Sequence, residues 1–244
     1  MLPAECDIRV GTSGWYYDHW IGRFYPEKLP PSKWLGYYAE HFDTVELNNT
    51  FYRQPKDTTV KNWRKQAPKD FLYAVKANRF ITHIKRLKEA AEPLDTFLEN
   101  SFLLKDKLGP VLFQLPPSFH KDLDLLEGFL KLVPKKLKAV FEFRHKSWFA
   151  DDAYVLLRKH NAGFCIHDLS GVPTPRVVTA DFIYLRFHGV GGRYSGNYPD
   201  SMLKDGADWL AQYKKKVRGI YAYFNNDINA YAVKNAQKLR DFLV

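Results

Sequence analysis

Eleven polar side chains recur at the tails of short apolar stretches: Glu46 and Asn48, Lys76 and Asn78, Gln114, Glu142 and Arg144, Arg186 and His188, and Asn225 with Asp227. Within each pair the spacing is two, so on an extended chain both side chains share a face while the apolar residues between them take the other. Glu46, Glu142 and His188 are the candidate catalytic residues. An imidazole transfers protons near neutrality, and a carboxylate does so when burial lifts its pKa. Lys76, Arg144 and Arg186 are the residue types that grip a carboxylate, sulfate or phosphate. Asn48, Gln114, Asn225 and Asp227 complete the candidate substrate-binding set. The competing reading is structural: Glu142 and Arg144 form a buried ion pair. Such pairs add little net stability, because desolvation offsets their attraction, so a whole ring of them is a costly way to fill a core.

Metal chemistry has ligand types available in Glu46, Glu142, His167, Asp168, His188 and Asp227, but no HExxH or similarly tight spacing. Three cations set against two carboxylates leave the inner set net positive, which favours an oxyanion over a bare divalent metal. No metal and no cofactor is therefore assigned. The chain has no dinucleotide fingerprint, no GxSxG elbow and no Ser/His/Asp triad signature.

Eight stretches carry these residues: Arg9–Trp15, Val45–Thr50, Tyr73–Arg79, Val111–Pro117, Val140–His145, Gly163–Asp168, Tyr184–Gly189 and Tyr221–Asp227. Amphipathic helical patterns separate several of them, at Leu94–Leu108 (stopped by Gly109-Pro110), Leu123–Val133, Val155–Lys159 and Ala232–Leu243. Strand–helix alternation predicts a parallel sheet. Eight units in 244 residues, each ending in polar residues, favour closure into a single TIM-like (β/α)8 barrel over residues 1–244 rather than a doubly wound open sheet. Elaborated βα loops are expected at Trp15–Pro31 and Val190–Asp200. In the second, Gly191, Gly192 and Gly196 with Arg193 form a candidate phosphate cradle.

The composition, 45% hydrophobic with 18 Phe, 15 Tyr and 6 Trp, suits a globular core. No stretch approaches the length of a membrane span. The first residues have no signal-peptide pattern, and Cys6 and Cys165 form no CxxC motif, so a cytoplasmic location is expected. The net charge is +10, and eleven Lys/Arg between Arg53 and Lys88 face only Asp57 and Asp70. That run reads as a solvated face or as a nucleic-acid surface, in which Trp63 would stack on a base.

The segments Gly11-Thr-Ser-Gly-Trp15, Val45-Glu-Leu-Asn-Asn-Thr-Phe-Tyr-Arg53, Val75-Lys-Ala-Asn-Arg79 with Ile81-Thr-His83, Leu112-Phe-Gln-Leu-Pro-Pro117, Phe141-Glu-Phe-Arg-His145 with Ser147-Trp148, Arg186-Phe-His-Gly189 and Tyr223-Phe-Asn-Asn-Asp227 with Asn235-Ala236 run the length of the chain in order. In them the chain resembles the YecE-like family, also called domain of unknown function 72. The resemblance implies a TIM-like barrel and no established reaction, so it brings no catalytic residues with it.

The leading expectation is an enzyme that works on a small anionic or phosphate-containing substrate by acid–base chemistry at the C-terminal barrel mouth, as a hydrolase, lyase or isomerase. The alternatives are a nucleic-acid-binding protein or metal-dependent nuclease of the barrel type, and a non-catalytic ligand-binding module. The sequence does not name the reaction.

Overall fold

The computed structural model describes residues 5–169, 173–191 and 194–243. Eight parallel strands close into a barrel in sequence order, with β8 returning to β1. They are β1 (Asp7–Ser13), β2 (Thr44–Leu47), β3 (Leu72–Lys76), β4 (Leu108–Gln114), β5 (Ala139–Glu142), β6 (Gly163–His167), β7 (Phe182–Phe187) and β8 (Gly219–Phe224). Each lies in or overlaps one of the eight stretches read from the sequence. Most strands begin a residue or more earlier than the stretch and all end before its polar tail does. The tails therefore project into the C-terminal mouth.

Alternation divides the side chains into two layers. Val45, Leu47, Val75, Val111, Phe113, Phe141, Ile183, Ile220 and Ala222 pack outward with the helices. Ala74, Leu112, Val140, Cys165, Phe182, Tyr184, Tyr221 and Tyr223 fill the barrel interior. The polar ring shares the parity of this second set and lies above it, so the interior is apolar and aromatic below and charged at the mouth. At Gly11, on β1, an added Cβ would lie 2.4 Å from the Thr44 carbonyl oxygen, so only glycine lets β1 and β2 approach this closely.

The helices are α1 (Trp34–His41), α2 (Asn49–Tyr52), α3 (Asp57–Gln66), α4 (Ala91–Phe102), α5 (Leu123–Leu132), α6 (Asp151–Lys159), α7 (Asp200–Ala211) and α8 (Tyr231–Leu243). The Asp122 side chain caps α5 by accepting from the Leu125 amide at 3.0 Å, which satisfies one of the open donors at the helix start. Asn161 takes a left-handed φ of 50° at the exit of α6, the role its place before Gly163 suggests.

One local expectation is corrected. Gly109-Pro110 does not stop α4. That helix ends at Phe102, a 3-10 turn at Lys105–Lys107 follows, and both residues lie inside β4. Lys107 fixes the turn by donating to the Arg64 carbonyl at 3.0 Å and to the Ala67 carbonyl. Trp63, the residue offered for stacking on a base, is part-buried and forms a T-shaped pair with Trp15, with ring centroids 5.7 Å apart.

The loop after β1 is built from aromatic packing. Trp20, Tyr25 and Trp34 are buried, and the Tyr25 and Trp34 rings stack at 4.8 Å, a contact worth about 0.5–1.5 kcal/mol beyond the area it buries. Trp20 Nε1 donates to the Asp227 carbonyl at 3.0 Å, which fastens this loop to the exit of β8. No described helix is long and apolar enough to cross a membrane.

Candidate active site at the barrel mouth

Arg186, near the end of β7, is the centre of the charged layer. Its Nε donates to Glu46 Oε1 at 2.9 Å and its Nη2 to Glu46 Oε2 at 2.8 Å, while Nη1 donates to Glu142 Oε2 at 2.7 Å. Three directions of one planar guanidinium thus serve carboxylates from opposite sides of the barrel, β2 and β5, a geometry that only arginine offers. Glu46 also accepts from Ser13 Oγ at 2.6 Å and from the Tyr184 hydroxyl at 2.7 Å. Arg144 forms a salt bridge with the other Glu142 oxygen.

These contacts decide the ionisation of the layer. Burial alone would raise both glutamates. Against it, Arg186 with the Ser13 and Tyr184 hydrogen bonds holds Glu46 below the ordinary carboxylate range, and Arg144 and Arg186 hold Glu142 well below it. Burial likewise opposes the Arg186 charge, but Glu46 and Glu142 keep it firmly protonated. The condition under which Glu46 and Glu142 would do acid–base work, a pKa lifted by burial, is therefore not met. Their lone pairs are engaged in holding arginines.

His188 sits inside the same network. Its Nε2 lies 3.2 Å from Arg144 Nη2 and 3.3 Å from Arg186 Nη1. Both neighbours are donors, so Nε2 accepts and the ring proton belongs on Nδ1, which points toward Asp168 Oδ1 at 3.7 Å. Burial, with Arg186 nearby and Asp168 partly opposing, moves the imidazole down to about 4, so it is neutral at physiological pH. Asp168 accepts from the His188 amide at 2.7 Å and from the Tyr198 hydroxyl, and that hydroxyl accepts from the Gly189 amide at 2.7 Å. The sequence offered Asp168 only as a metal-ligand type and did not pick out Tyr198, and neither was read there as the support of His188.

Lys76 stands apart. Its Nζ lies over the Phe51 ring at 4.2 Å and, among the described residues, makes no salt bridge. Burial and the charge of Arg186, partly offset by Glu142 and Glu46, bring the ammonium down to about 8. His83 packs edge-on against the same Phe51 ring, with centroids 4.9 Å apart. Burial and then Lys76 push its imidazole down to about 4. His83 belongs to a π-helical turn, Phe80–Ile84, directly after β3. Such turns are rare and often occur at functional sites. Phe51 and His83 were missed from sequence because the loop geometry that brings them to Lys76 has no periodic signature.

The remaining candidates divide. Gln114 is half-buried and in register with Glu142. The Asn48 side-chain Oδ1, Glu142 Oε1, Arg144 Nε and His188 Nδ1 are buried with no protein hydrogen-bond partner, Glu142 Oε1 meeting Arg144 only as an ion pair. Asn225 is half-buried and anchors its backbone to Phe187 at 2.7 Å. Asp227 turns toward His19, whose Nε2 lies 3.2 Å from its carboxylate, so it ties the β1 loop to β8 rather than joining the ring. Of the candidate phosphate cradle, Gly192 and Arg193 lie outside the described residues. The Gly191 amide donates to the Ser195 carbonyl at 3.1 Å, closing the loop on itself. Among the described residues no group of three His, Cys, Asp or Glu is placed to hold a metal ion.

A model for the "Protein of unknown function DUF72" family matches residues 9–244. The chain belongs to the DUF72 family. Among its relatives, the UPF0759 protein YunF of Bacillus subtilis is 28% identical over 269 residues, spanning 97% of this chain and 94% of that protein. The UPF0759 protein YecE of Escherichia coli K12 is 31% identical over 144 residues, 59% of this chain and 50% of that protein. The crystal structure of a DUF72 protein from Thermotoga maritima superimposes with a TM-score of 0.89 at 30% identity, covering 97% of this chain and 99% of that one. A DUF72 protein from Enterococcus faecalis, at 21% identity and a TM-score of 0.83, shares the fold. The barrel and family expected from the sequence are thus shown, while the names of these DUF72 relatives state no reaction.

Proposed function

We propose that this DUF72 protein is an enzyme for a small anionic substrate, seated at the C-terminal mouth of the barrel on Arg144 and Lys76. One observation carries the reading: the charged layer is unbalanced. Arg186 is consumed by Glu46 and Glu142, Arg144 shares Glu142, and Lys76, half-buried, feels both carboxylates but makes no salt bridge with either. A partly desolvated positive charge without a direct counter-ion is costly, and an anionic ligand relieves that cost. Glu46, Glu142, Arg186 and His188 then form a rigid frame for Arg144, as a preorganised site requires. Proton transfer falls to Lys76 and His83, the mouth groups not locked into that frame.

The test is thermal. Phosphate or sulfate that binds only the folded chain raises the melting temperature with concentration. Arg144→Ala removes that rise, whereas exposed Lys135→Ala keeps it. If neither anion shifts the parent while Mn²⁺ or Zn²⁺ stabilises it strongly, the sign assigned to the site is wrong and a metal-dependent reading replaces it. An anion shift without turnover of any small-molecule anion leaves a ligand-binding module.

A second reading, nucleic-acid binding, has one specific support. Lys85, Arg86, Lys88 and Lys121 line a single cleft beside the mouth together with Asp122, although Lys85 pairs with Glu89 and Lys121 with Asp152. Elsewhere the basic run is dispersed: Arg64 pairs with Asp106 on the barrel flank, and Lys76 faces inward. The signature of this reading is an affinity that falls steeply with salt.

A further inference from the structure

We propose that Lys76 is a covalent catalyst, an amine that condenses with the carbonyl of a 2-oxo acid whose carboxylate rests on Arg144. The idea builds on the anion site and names the class of molecule that fills it.

The first argument is elimination among the nucleophilic atoms of the mouth. Ser13 Oγ and the Tyr184 hydroxyl both donate to Glu46, so their oxygens are held against a carboxylate. The Cys165 thiol lies 3.9 Å from Glu142 Oε2, and burial with that negative neighbour keeps it protonated. His188 Nε2 faces two guanidinium groups. Lys76 Nζ has none of these restraints. Its contact is the Phe51 ring, which tolerates an ammonium and releases a neutral amine with no hydrogen bond to break.

The second argument is the surroundings of that amine. Burial and neighbouring cations are the two means by which a protein frees a lysine lone pair near neutral pH, and Lys76 has both: it is half-buried against Phe51, and the charges of Arg186 and Arg144 act on it. Glu46 and Glu142 also act on it, but their oxygens are already committed to Arg186 and Arg144. The third argument is the neutral His83 imidazole, brought to the same Phe51 ring by the π-helical turn. Condensation needs a group that accepts and returns protons, and an uncharged imidazole does both.

The step balances as follows. The Lys76 ammonium releases a proton to solvent, since the His83 imidazole is too weak a base to keep it. The free amine attacks the carbonyl carbon, a C–N bond forms, and the surplus proton on nitrogen passes by way of the neutral His83 imidazole to the former carbonyl oxygen, giving the carbinolamine hydroxyl. A proton from solvent returns to that hydroxyl, the C–O bond breaks, and water leaves. The product is an iminium that keeps the single positive charge of the original ammonium, with no oxidant or reductant required. Arg144 supplies the anion contact through its guanidinium rather than through Nε, which is buried away from solvent.

The experiment uses the whole chain with pyruvate and sodium cyanoborohydride at neutral pH, followed by peptide mapping of the time course. The expected result is that Lys76 is labelled at least about tenfold faster than exposed Lys135, since its free-amine fraction at that pH is far larger than an ordinary lysine's. Added phosphate slows labelling at Lys76 and not at Lys135, and His83→Gln slows it at Lys76 alone. Labelling of Lys76 no faster than Lys135 overturns the proposal. A His83→Gln protein that labels Lys76 as fast as the parent overturns the proton-carrying role of His83. The failures are distinguishable: a phosphate-induced thermal shift without selective labelling sinks the covalent step and leaves the anion site standing. Selective labelling that phosphate does not slow sinks the anion site instead.

Discussion

Arg186→Leu is the most informative single perturbation of this barrel. Arg186 is the common partner of Glu46 and Glu142, both inaccessible to solvent, through three hydrogen bonds of 2.7 to 2.9 Å. Leucine fills much of the space but leaves Glu46 with only the Ser13 and Tyr184 hydroxyls, and Glu142 with Arg144. Stranding a buried charge by removing its partner costs about 3–5 kcal/mol. In a chain of this size that lowers the melting temperature by roughly 6–20 °C. The sign with pH follows from the shifts. In the parent both glutamates are held below their unfolded pKa, so their contribution is present above that value and is lost as pH falls through the folded one. In the variant, burial without Arg186 raises Glu46 above its unfolded value. The folded state then gains a proton as pH falls, and the deficit shrinks toward acid. Urea unfolding followed by tryptophan fluorescence from pH 5 to 8 measures this directly. A loss below about 1 kcal/mol at neutral pH, where such a pair is worth several times that, refutes the account of Arg186 as the anchor of the layer. So does a loss of the same size at every pH.

Two further outcomes follow from the same geometry. The Lys76 ammonium, followed by NMR through its side-chain nitrogen, titrates with a midpoint near 8 rather than at the ordinary value. Because the folded pKa is depressed, Lys76 costs stability at lower pH and that cost fades as pH rises above 8, so any stability gained by Lys76→Met shrinks over the same interval; a midpoint at the ordinary lysine value removes the basis for both statements. Tyr198→Phe deletes the hydroxyl that joins Asp168 to the Gly189 amide. It lowers stability by about 1–3 kcal/mol, as for a buried donor left unpaired, and urea denaturation that shows no loss argues against this support for His188.

Parity alone placed Glu46, Glu142, Arg144, Arg186 and His188 on the inside of the barrel, because alternation on a strand is local and the eight stretches were legible as strands. The same residues also carried the family resemblance that the match over residues 9–244 establishes. Sequence assigned them roles by residue type: carboxylates and imidazole to catalysis, cations to binding. Roles within a ring depend instead on which atoms meet across the barrel. The contact between Glu46 of β2 and Arg186 of β7 spans 140 positions along the chain. No periodicity announces that Arg186 is saturated while Lys76, a residue of the same charge class, is left over. Gly109-Pro110 shows the same limit at the level of elements: both residues are strong local punctuation, yet pairing of β4 with its neighbours overrides it. The barrel, its family and the polarity of its mouth are legible along the chain, since these rest on repeated patterns. The folded arrangement alone reveals which charges neutralise one another, which imidazole is buried between guanidinium groups, and that His83 and Lys76 share the Phe51 ring, since each is a contact between elements whose separation in sequence carries no record of their distance in space.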